Sequence, residues 1–535
     1  MEKIILATQE LSSGLFLLTN LTSDILSDIE IKNGNLTISP EQRTNVLEKF
    51  SQTTPELNGA KAQIDLSLLE LNSISVAKLN PLLGNYVSEL RNKLTALRNF
   101  LDKSVSLSYS LPTLLGLNSE KTYLFLLQNN NELRPTGGFI GTLGILKIKN
   151  GYITFFQTNN VYDYDRFAHN RLKIMPPAPI SKYLNVDGWY LRDSNWSPDF
   201  VEAAHQIEWF YHQEVALSSG TLKNYNIDGV IAITPKIISE FLSTVGAVEI
   251  DSFVFNKDNF VDRLQYLVEV GYQEQNVEYW QRKNIIGNLG QKLIARTENL
   301  NLQGWLKILQ STLDNLNAKH IQLYIKNDIV QNIINKENWS GTINSVPGDF
   351  LMVIDANLAA LKSNQCVIRS IDYTLQPNMR AHVEITYKNN CTFTWKSTRY
   401  RTYTRVYVPL GSEIIESSGA MEIDRSKQAG QVDVSEDRDK TVFGAFVSIE
   451  PGAIGKLSFT YQLPAKILNN LNAQGEYQLY IQKQAGTLKD NLQLDLNFPY
   501  EIKLTYPSED RHLWGDKQYK FSTDLEIDRQ IRIGF

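Results

Sequence analysis

The spacing of apolar residues changes twice along this chain, and those changes limit its possible folds more than any single motif. From Met1 to about Leu115, leucines and isoleucines recur every three or four residues, the period of an amphipathic helix. "NYVSELRNKLTALRNFLDKSVSL" carries the pattern most strongly. "SPEQRTNVLEKF" opens with Ser39 as N-cap, Pro40 at the first helical position and a Glu in the first turn. Over 116–345 apolar runs alternate with helical segments, which argues for a sheet with helices on its faces. Beyond about Val346 the period becomes two. "CVIRSIDYTL", "RAHVEITYK", "RTYTRVYVP", "TVFGAFVSI", "GKLSFTYQL" and "EYQLYIQKQ" are short strands separated by turns, the mark of an antiparallel sandwich. The expected architecture is α+β and multidomain: an N-terminal helical bundle or stalk over 1–115, a central α/β sandwich with a mixed sheet over 116–345, and a C-terminal antiparallel, immunoglobulin-like β-sandwich over 346–535. A length of 535 residues suits about three domains.

In the central part, the stretch Asn129–Gly151, NNNELRPTGGFIGTLGILKIKNG, sets Arg134 near two adjacent glycines and then runs into apolar alternation. A Gly pair opens backbone conformations closed to other residues. "FIGTLGILKIKNGYITF" reads as two strands joined at Asn150-Gly151, so Arg134 is expected at the lip of a sheet. "TYLFLLQNN" before it has the near-continuous apolar character of a buried central strand. "IDGVIAIT" is a second buried strand, followed by the helix "PKIISEFLSTVG", stopped by Gly246. Ser197-Pro198-Asp199 marks the start of an amphipathic helix, and "VEYWQRKNIIGNLGQKLIARTE" reads as a longer one.

A formal charge of -5 over this length gives no general case for nucleic acid, so any anion site must be local. Cys366 and Cys391 show no metal-ligand spacing. The alternation around the "QPNMR" turn puts them on opposite faces of a hairpin unless a bulge near Asn389-Asn390 shifts the register, which weighs against a disulfide. No run of ~18 apolar residues argues for a membrane span. The first residues also lack the basic region and cleavage site of a signal peptide. Either the protein is cytosolic or the chain begins after a removed anchor.

No H-E-x-x-H, G-x-S-x-G or Walker A pattern is present, and the six histidines are scattered. What remains is a polar cluster in the middle third. Beside Arg134, "VYDYD" supplies Asp163 and Asp165, two residues apart and on one face of any extended segment. "WYLRDSNWSPDF" supplies Arg192, Asp193, Asn195 and Asp199 before a helix N-terminus. Guanidinium forks and a helix N-terminus suit phosphate oxygens, and grouped carboxylates suit a hard cation such as magnesium. Taken singly, each has a structural alternative: Arg192-Asp193 as an internal ion pair and cap, "VYDYD" as a solvated loop.

Four separated segments, "TYLFLLQNNNELRPTGGFIGTLG", "WYLRDSNWSPDF", "GDFLMVIDANLAALKS" and "TYTRVYVPLGSEI", together resemble the bacterial domain of unknown function 4012 family from about Lys121 to the C-terminus. That resemblance implies an N-terminal transmembrane helix, a helical region and then an extracytoplasmic part. The chain is accordingly expected at the cell surface, held near the membrane by an anchor absent from these residues. More distantly, the middle third is similar to the LytR-CpsA-Psr phosphotransferase core, which attaches polyprenyl-pyrophosphate-linked glycopolymers to peptidoglycan. "YNIDGVIAITPKIISEFLSTVGAVEI" resembles its strand-helix segment, and "LRDSNW" stands at its Pro-Arg-Asp. The similarity implies pyrophosphate binding by Arg134, Arg192, Arg282 and Lys283. It implies catalytic roles for Arg192 and Asp193, the latter activating an acceptor hydroxyl, and a magnesium ion (Mg2+) on Asp163, Asp165 and Asp193. Pro135-Thr136-Gly137 departs from that family's Ser-Asp-Thr, and Arg282-Lys283 alone represents its later arginines.

Two functions are expected from this. One is a glycopolymer phosphotransferase that takes a lipid-linked glycan, houses its prenyl chain in an apolar tunnel lined by middle-third helices, and serves a cell-wall polymer. The other is a non-catalytic surface module for adhesion, assembly or glycan binding.

Overall fold

The computed structural model describes all residues except 1, 28–29, 33–34, 38–39, 77–78, 298–299, 427 and 510. Its N-terminal helices are α1 (Glu2–Leu26), α2 (Pro40–Gln52), α3 (Thr54–Asn72) and α4 (Pro81–Leu114), with a small strand pair, β1 (Glu30–Lys32) and β2 (Asn35–Thr37), after α1. Ser39, the expected cap of α2, lies outside the described residues. Asn80 caps α4 by accepting from Leu83 N at 2.9 Å, with Pro81 at the first helical position. Ala7, Ala60 and Ile64 form part of the apolar seam of the bundle. The C-terminal half of α4 leaves that seam: Leu107 and Leu114 pack beside Tyr123 and Ile237, and Ser106 Oγ donates to Glu337 at 2.7 Å. One helix thus serves two cores.

The expectation that nothing here is apolar enough to span a bilayer is corrected by α1. Residues Lys3–Ile25 have a mean hydropathy of 1.2 and the required length. Gln9, Glu10 and the Ser, Thr and Asn residues break up the apolar run, so a count of consecutive apolar residues misses the helix. Ile5, Leu15 and Phe16 are exposed on it.

The central sheet contains β3 (Lys121–Asn129), β4 (Phe139–Lys149), β5 (Tyr152–Asn160), β6 (Gly229–Ile233) and β9 (Ile321–Ile325), in the order β5-β4-β3-β6-β9. Only β3 and β6 run parallel, so the sheet is mixed. The alternation of β3 sends Leu124 and Leu126 to one face, against α5 (Tyr162–Ala168) and α7 (Phe200–Leu217). Tyr123, Phe125 and Leu127 go to the other, against α8 (Pro235–Val245), α12 (Leu302–Asn317) and α13 (Asp328–Lys336). A short helix α6 (Ala178–Leu184) precedes α7. Asn150 and Gly151 adopt φ of 50° and 77°, giving the expected hairpin turn. Gly246 ends α8 as expected.

Between α8 and α12 the chain makes a satellite layer. A strand pair, β7 (Val248–Ile250) and β8 (Phe253–Phe255), leads to α9 (Phe260–Tyr266), a π-turn over Leu267–Gly271, α10 (Tyr272–Glu274) and α11 (Asn284–Thr297). The single helix expected from Val277 is thereby a 3-10 turn, Tyr279–Gln281, followed by α11.

The C-terminal part is a two-sheet sandwich. Its strands are β10 (Asp349–Asn357), β11 (Val367–Leu375), β12 (Arg380–Asn389), β13 (Tyr400–Pro409), β14 (Glu413–Ser418), β15 (Asp433–Asp437), β16 (Lys440–Ile449), β17 (Ile454–Gln462), β18 (Glu476–Gln482), β19 (Asn491–Asn497), β20 (Leu504–Tyr506), β21 (Gln518–Asp524) and β22 (Arg529–Gly534), with α14 (Ala465–Gln474) before β18. One sheet runs β15-β16-β13-β10-β18-β22-β20 and the other β14-β17-β12-β11-β19-β21. Each contains one parallel pairing, β10 with β18 and β11 with β19, so the sandwich is not purely antiparallel.

Cys366 and Cys391 form a disulfide, against the sequence expectation. The β11–β12 ladder ends at Val367 opposite Asn389, so both cysteines lie beyond it. Asn389 Oδ1 accepts from Cys391 N at 3.0 Å, and Asn390 N donates to Cys366 O at 3.0 Å. The chain turns there, and strand alternation no longer assigns faces.

The central and C-terminal parts are bonded through main chain. Asn357 N donates to Leu133 O at 2.9 Å, and Asn364 N to Asn131 O at 3.2 Å. Lys319 Nζ adds a buried ion pair with Asp528 at 2.6 Å.

Candidate functional site

The glycines after Arg134 fold the chain back over the end of β3. Gly137 has φ 129°, and a Cβ on Gly138 would lie 2.3 Å from the carbonyl carbon of Asn129. The buried Gln128 Oε1 gathers this turn, accepting from Thr136 Oγ1 and Gly138 N at 3.0 Å each and from Asn195 Nδ2 at 3.2 Å. Because Asn195 belongs to "LRDSNW", the same bonds draw that loop against the glycine turn. Arg134 and Asp193, 59 residues apart, meet as a result.

Asp193 lies between two guanidinium groups. Its Oδ1 is 3.4 Å from Arg134 Nη2 and its Oδ2 is 3.3 Å from Arg192 Nε. Arg134 is only 4% exposed; its Nη1 donates to Asn357 O in the C-terminal sandwich, and its Nε has no partner among the described residues. Arg192 Nη1 donates to Asp165 at 2.7 Å. Burial opposes the charge on Arg192, but Asp165 and Asp193 outweigh it and raise its pKa. Behind Asp165 stands Glu214, whose Oε1 accepts from Leu191 N at 3.0 Å. Burial raises the pKa of both acids, and the Asp165 charge adds to the effect on Glu214. Asp165 Oδ1 and Glu214 Oε2 have no other partner among the described residues, which fits a proton held between them.

A second, similar arrangement joins Arg282, anticipated from sequence, to Glu269 and Lys362, which sequence reasoning did not single out. Glu269, on the π-turn, is 3.6 Å from Arg282 Nη1 and 3.1 Å from Lys362 Nζ. Burial opposes ionisation of Glu269, but Lys362 and Arg282 hold its pKa below the usual range. Arg282 lies over the Tyr279 ring at 4.0 Å, and its Nε is buried without a partner among the described residues. Lys283 Nζ donates to Gly141 O and to Asn160 Oδ1. Burial, with help from Arg282, lowers its pKa to about 8.

The two arrangements border one cavity of about 560 Å³, with Asp165 and Glu214 standing behind its wall. Arg134, Arg192, Arg282, Lys283 and Lys362 face it with Glu132, Asp193 and Glu269, an excess of cations over acids. Burial raises the pKa of Glu132 against the pull of Arg134. Most of the remaining wall is apolar, from Phe260, Val261, Leu264, Val268 and Ile286 of the satellite layer together with Leu127, Phe139, Leu184, Val186 and Pro235. The four cations anticipated from sequence therefore converge, and so does Asp193. Asp163 and Asp165 do not border the cavity. Their segment is helix α5 and not extended, so two residues' separation turns them to different faces. Among the described residues no three acidic, His or Cys side chains gather as the ligands of a metal ion would. Of the missed residues, Glu132 stands two before Arg134 and Lys362 lies within "GDFLMVIDANLAALKS", so both were within quoted segments.

Residues 118–268 match the family model described as Protein of unknown function (DUF4012). The match takes in the first two of the four segments named above; the other two lie beyond it. No curated protein matches the chain. Among solved structures, a Legionella pneumophila protein described as nutrient binding aligns at 11% identity over 35% of this chain and 71% of its own, with a TM-score of 0.20. An M1 zinc metallopeptidase from Deinococcus radiodurans aligns at 9% identity over 33% of this chain and 43% of its own, with a TM-score of 0.15. Likenesses this slight do not define a shared fold.

Proposed function

We propose that this chain is an extracytoplasmic cell-envelope protein whose LytR-CpsA-Psr-like central domain binds the pyrophosphate of a polyprenyl-linked glycan. The observation that carries this reading is a single cavity with a cation-rich wall beside an apolar one. Guanidinium and ammonium groups suit phosphoryl oxygens, and an apolar wall suits the first prenyl units. The unpartnered Nε atoms of Arg134 and Arg282 are buried donors awaiting an acceptor. The disulfide supports an oxidising compartment, and the length and apolarity of α1 support attachment to a membrane.

Transfer of the glycan to a cell-wall polymer is the reaction such a site would serve. In such a transfer an acceptor hydroxyl would attack the glycan-side phosphorus and lose its proton to solvent while the bridging P–O bond breaks and the polyprenyl phosphate leaves; the cations would neutralise the charge developing on that leaving phosphate. Asp193, bonded to two guanidiniums, acts in this reading as the group that positions them. The acids do not fit magnesium: Asp193 and Asp165 are engaged by arginines, Asp163 stands apart, and no metal step is invoked. The second reading, a module that holds the glycan without transferring it, is favoured by one observation. Each acid bordering the cavity already has a cationic partner, leaving no uncommitted base there.

The test is calorimetric titration with farnesyl pyrophosphate. Saturable binding is expected, weakened ~10–100-fold in Arg134→Ala or Arg192→Ala, as removal of charge-assisted hydrogen bonds gives. Absence of binding, or binding that inorganic pyrophosphate matches without the tail, refutes the reading.

A further inference from the structure

The cavity repeats one motif: a carboxylate clasped by two cations. Arg134–Asp193–Arg192 lies wholly within the central domain, with contacts of 3.4 and 3.3 Å. Arg282–Glu269–Lys362, with contacts of 3.6 and 3.1 Å, takes its third member from the C-terminal sandwich. We propose that the two clasps read the two phosphoryl groups of one diphosphate ligand, and that Lys362 is the residue that distinguishes a diphosphate from a monophosphate. This rests on the binding function proposed above.

The loop carrying Lys362 is built for this placement. Ala359 and Leu361 adopt φ of 64° and 51°, a left-handed conformation that costs energy for residues with side chains. Asn357 holds them: its Oδ1 accepts from Ala360 N at 2.9 Å, and its Nδ2 donates to Leu361 O at 3.0 Å. Lys362 N donates in turn to Lys396 O at 2.8 Å. The main-chain carbonyl of the same Asn357 receives Arg134 Nη1. One buried asparagine therefore fixes a cation of each clasp relative to the other. Glu269 is presented by a π-turn, an irregularity often retained at binding sites. In each clasp the carboxylate holds its two cations at the cavity wall, where their remaining donors can meet a phosphoryl group.

Calorimetry with farnesyl pyrophosphate and farnesyl monophosphate, on the whole chain, tests the assignment. Lys362→Ala is expected to weaken the pyrophosphate ~10-fold or more while leaving the monophosphate within about threefold. Lys362→Arg is expected to restore the preference. Arg134→Ala is expected to weaken both ligands. Equal losses for both ligands in Lys362→Ala, or no loss for either, overturn the assignment while leaving the binding function standing. If the wild-type protein binds neither ligand, both fall together. Circular dichroism and melting of each variant separate loss of the cation from loss of the fold.

Discussion

Replacing Asp193 by Asn removes the charge between two guanidiniums while keeping the side chain's size. Arg134 is 4% exposed and would keep only Glu132 at 3.5 Å as an acidic partner, together with the Asn357 carbonyl. Arg192 is freer, with 21% of its side chain exposed, and would keep Asp165 at 2.7 Å. Breaking a fully buried pair costs ~3–5 kcal/mol, and here about half of each cation's bonding survives, so a loss of ~2 kcal/mol is expected. For a domain of this size that lowers the melting temperature by roughly 4–8 °C. Trp189 Nε1 donates to Asp193 O at 2.9 Å and offers a local fluorescence reporter. The arginines, less compensated in the variant, should gain more from an added anion. Sodium pyrophosphate is therefore expected to raise the melting temperature of Asp193→Asn by more than that of the wild type. A melting temperature within about 1 °C of wild type, or a smaller gain with pyrophosphate, would refute the argument that this carboxylate holds the cations in place.

Cys391→Ser opens a loop with a sequence separation of 25, and the chain-entropy relation puts the loss near ~3.5 kcal/mol, visible as earlier unfolding of the sandwich in urea. Glu214→Gln is expected to flatten the pH dependence of stability. The folded-state pKa of Glu214 is raised, so its contribution is fully present below the ordinary glutamate value of ~4.3 and is lost as pH rises toward the folded value, by up to ~1.4 kcal/mol per pH unit. Denaturant titrations at pH 5 and pH 8 check this, and an equal pH slope in variant and wild type contradicts it. Gly138→Ala pushes a methyl group into the Asn129 main chain and is expected to abolish soluble folded protein, whereas Gly220→Ala, with nothing within 4 Å but φ of 89°, meets only backbone strain and is expected to fold with reduced stability.

Much of this fold is local in origin, which is why it could be read from sequence. The β4–β5 hairpin follows from Asn150-Gly151, the helix α7 from its cap Asp199, and the burial of β3 from its apolar run. The four cations were legible because they stand in segments with distinct motifs. Lys362 and Glu269 were not, because their meeting depends on how the sandwich docks against the satellite layer, and no short-range pattern encodes that. Asp163 and Asp165 misled for a different reason: a five-residue polar and aromatic run fits a strand as well as a helical turn, and packing against α7 decides between them. The cysteines misled because alternation holds only as far as the ladder does.

The main-chain bonds from Asn131 and Leu133 to Asn364 and Asn357 have a kinetic corollary. The two large bodies cannot swing apart to admit a guest without rupturing backbone hydrogen bonds. The satellite layer, in contrast, is tied across by side-chain ion pairs, Lys362–Glu269 and Lys396–Asp262. Salt then acts twice on loading, screening the pull on an anion while loosening those ties, so the association rate should vary far less with ionic strength than it does for an open basic groove.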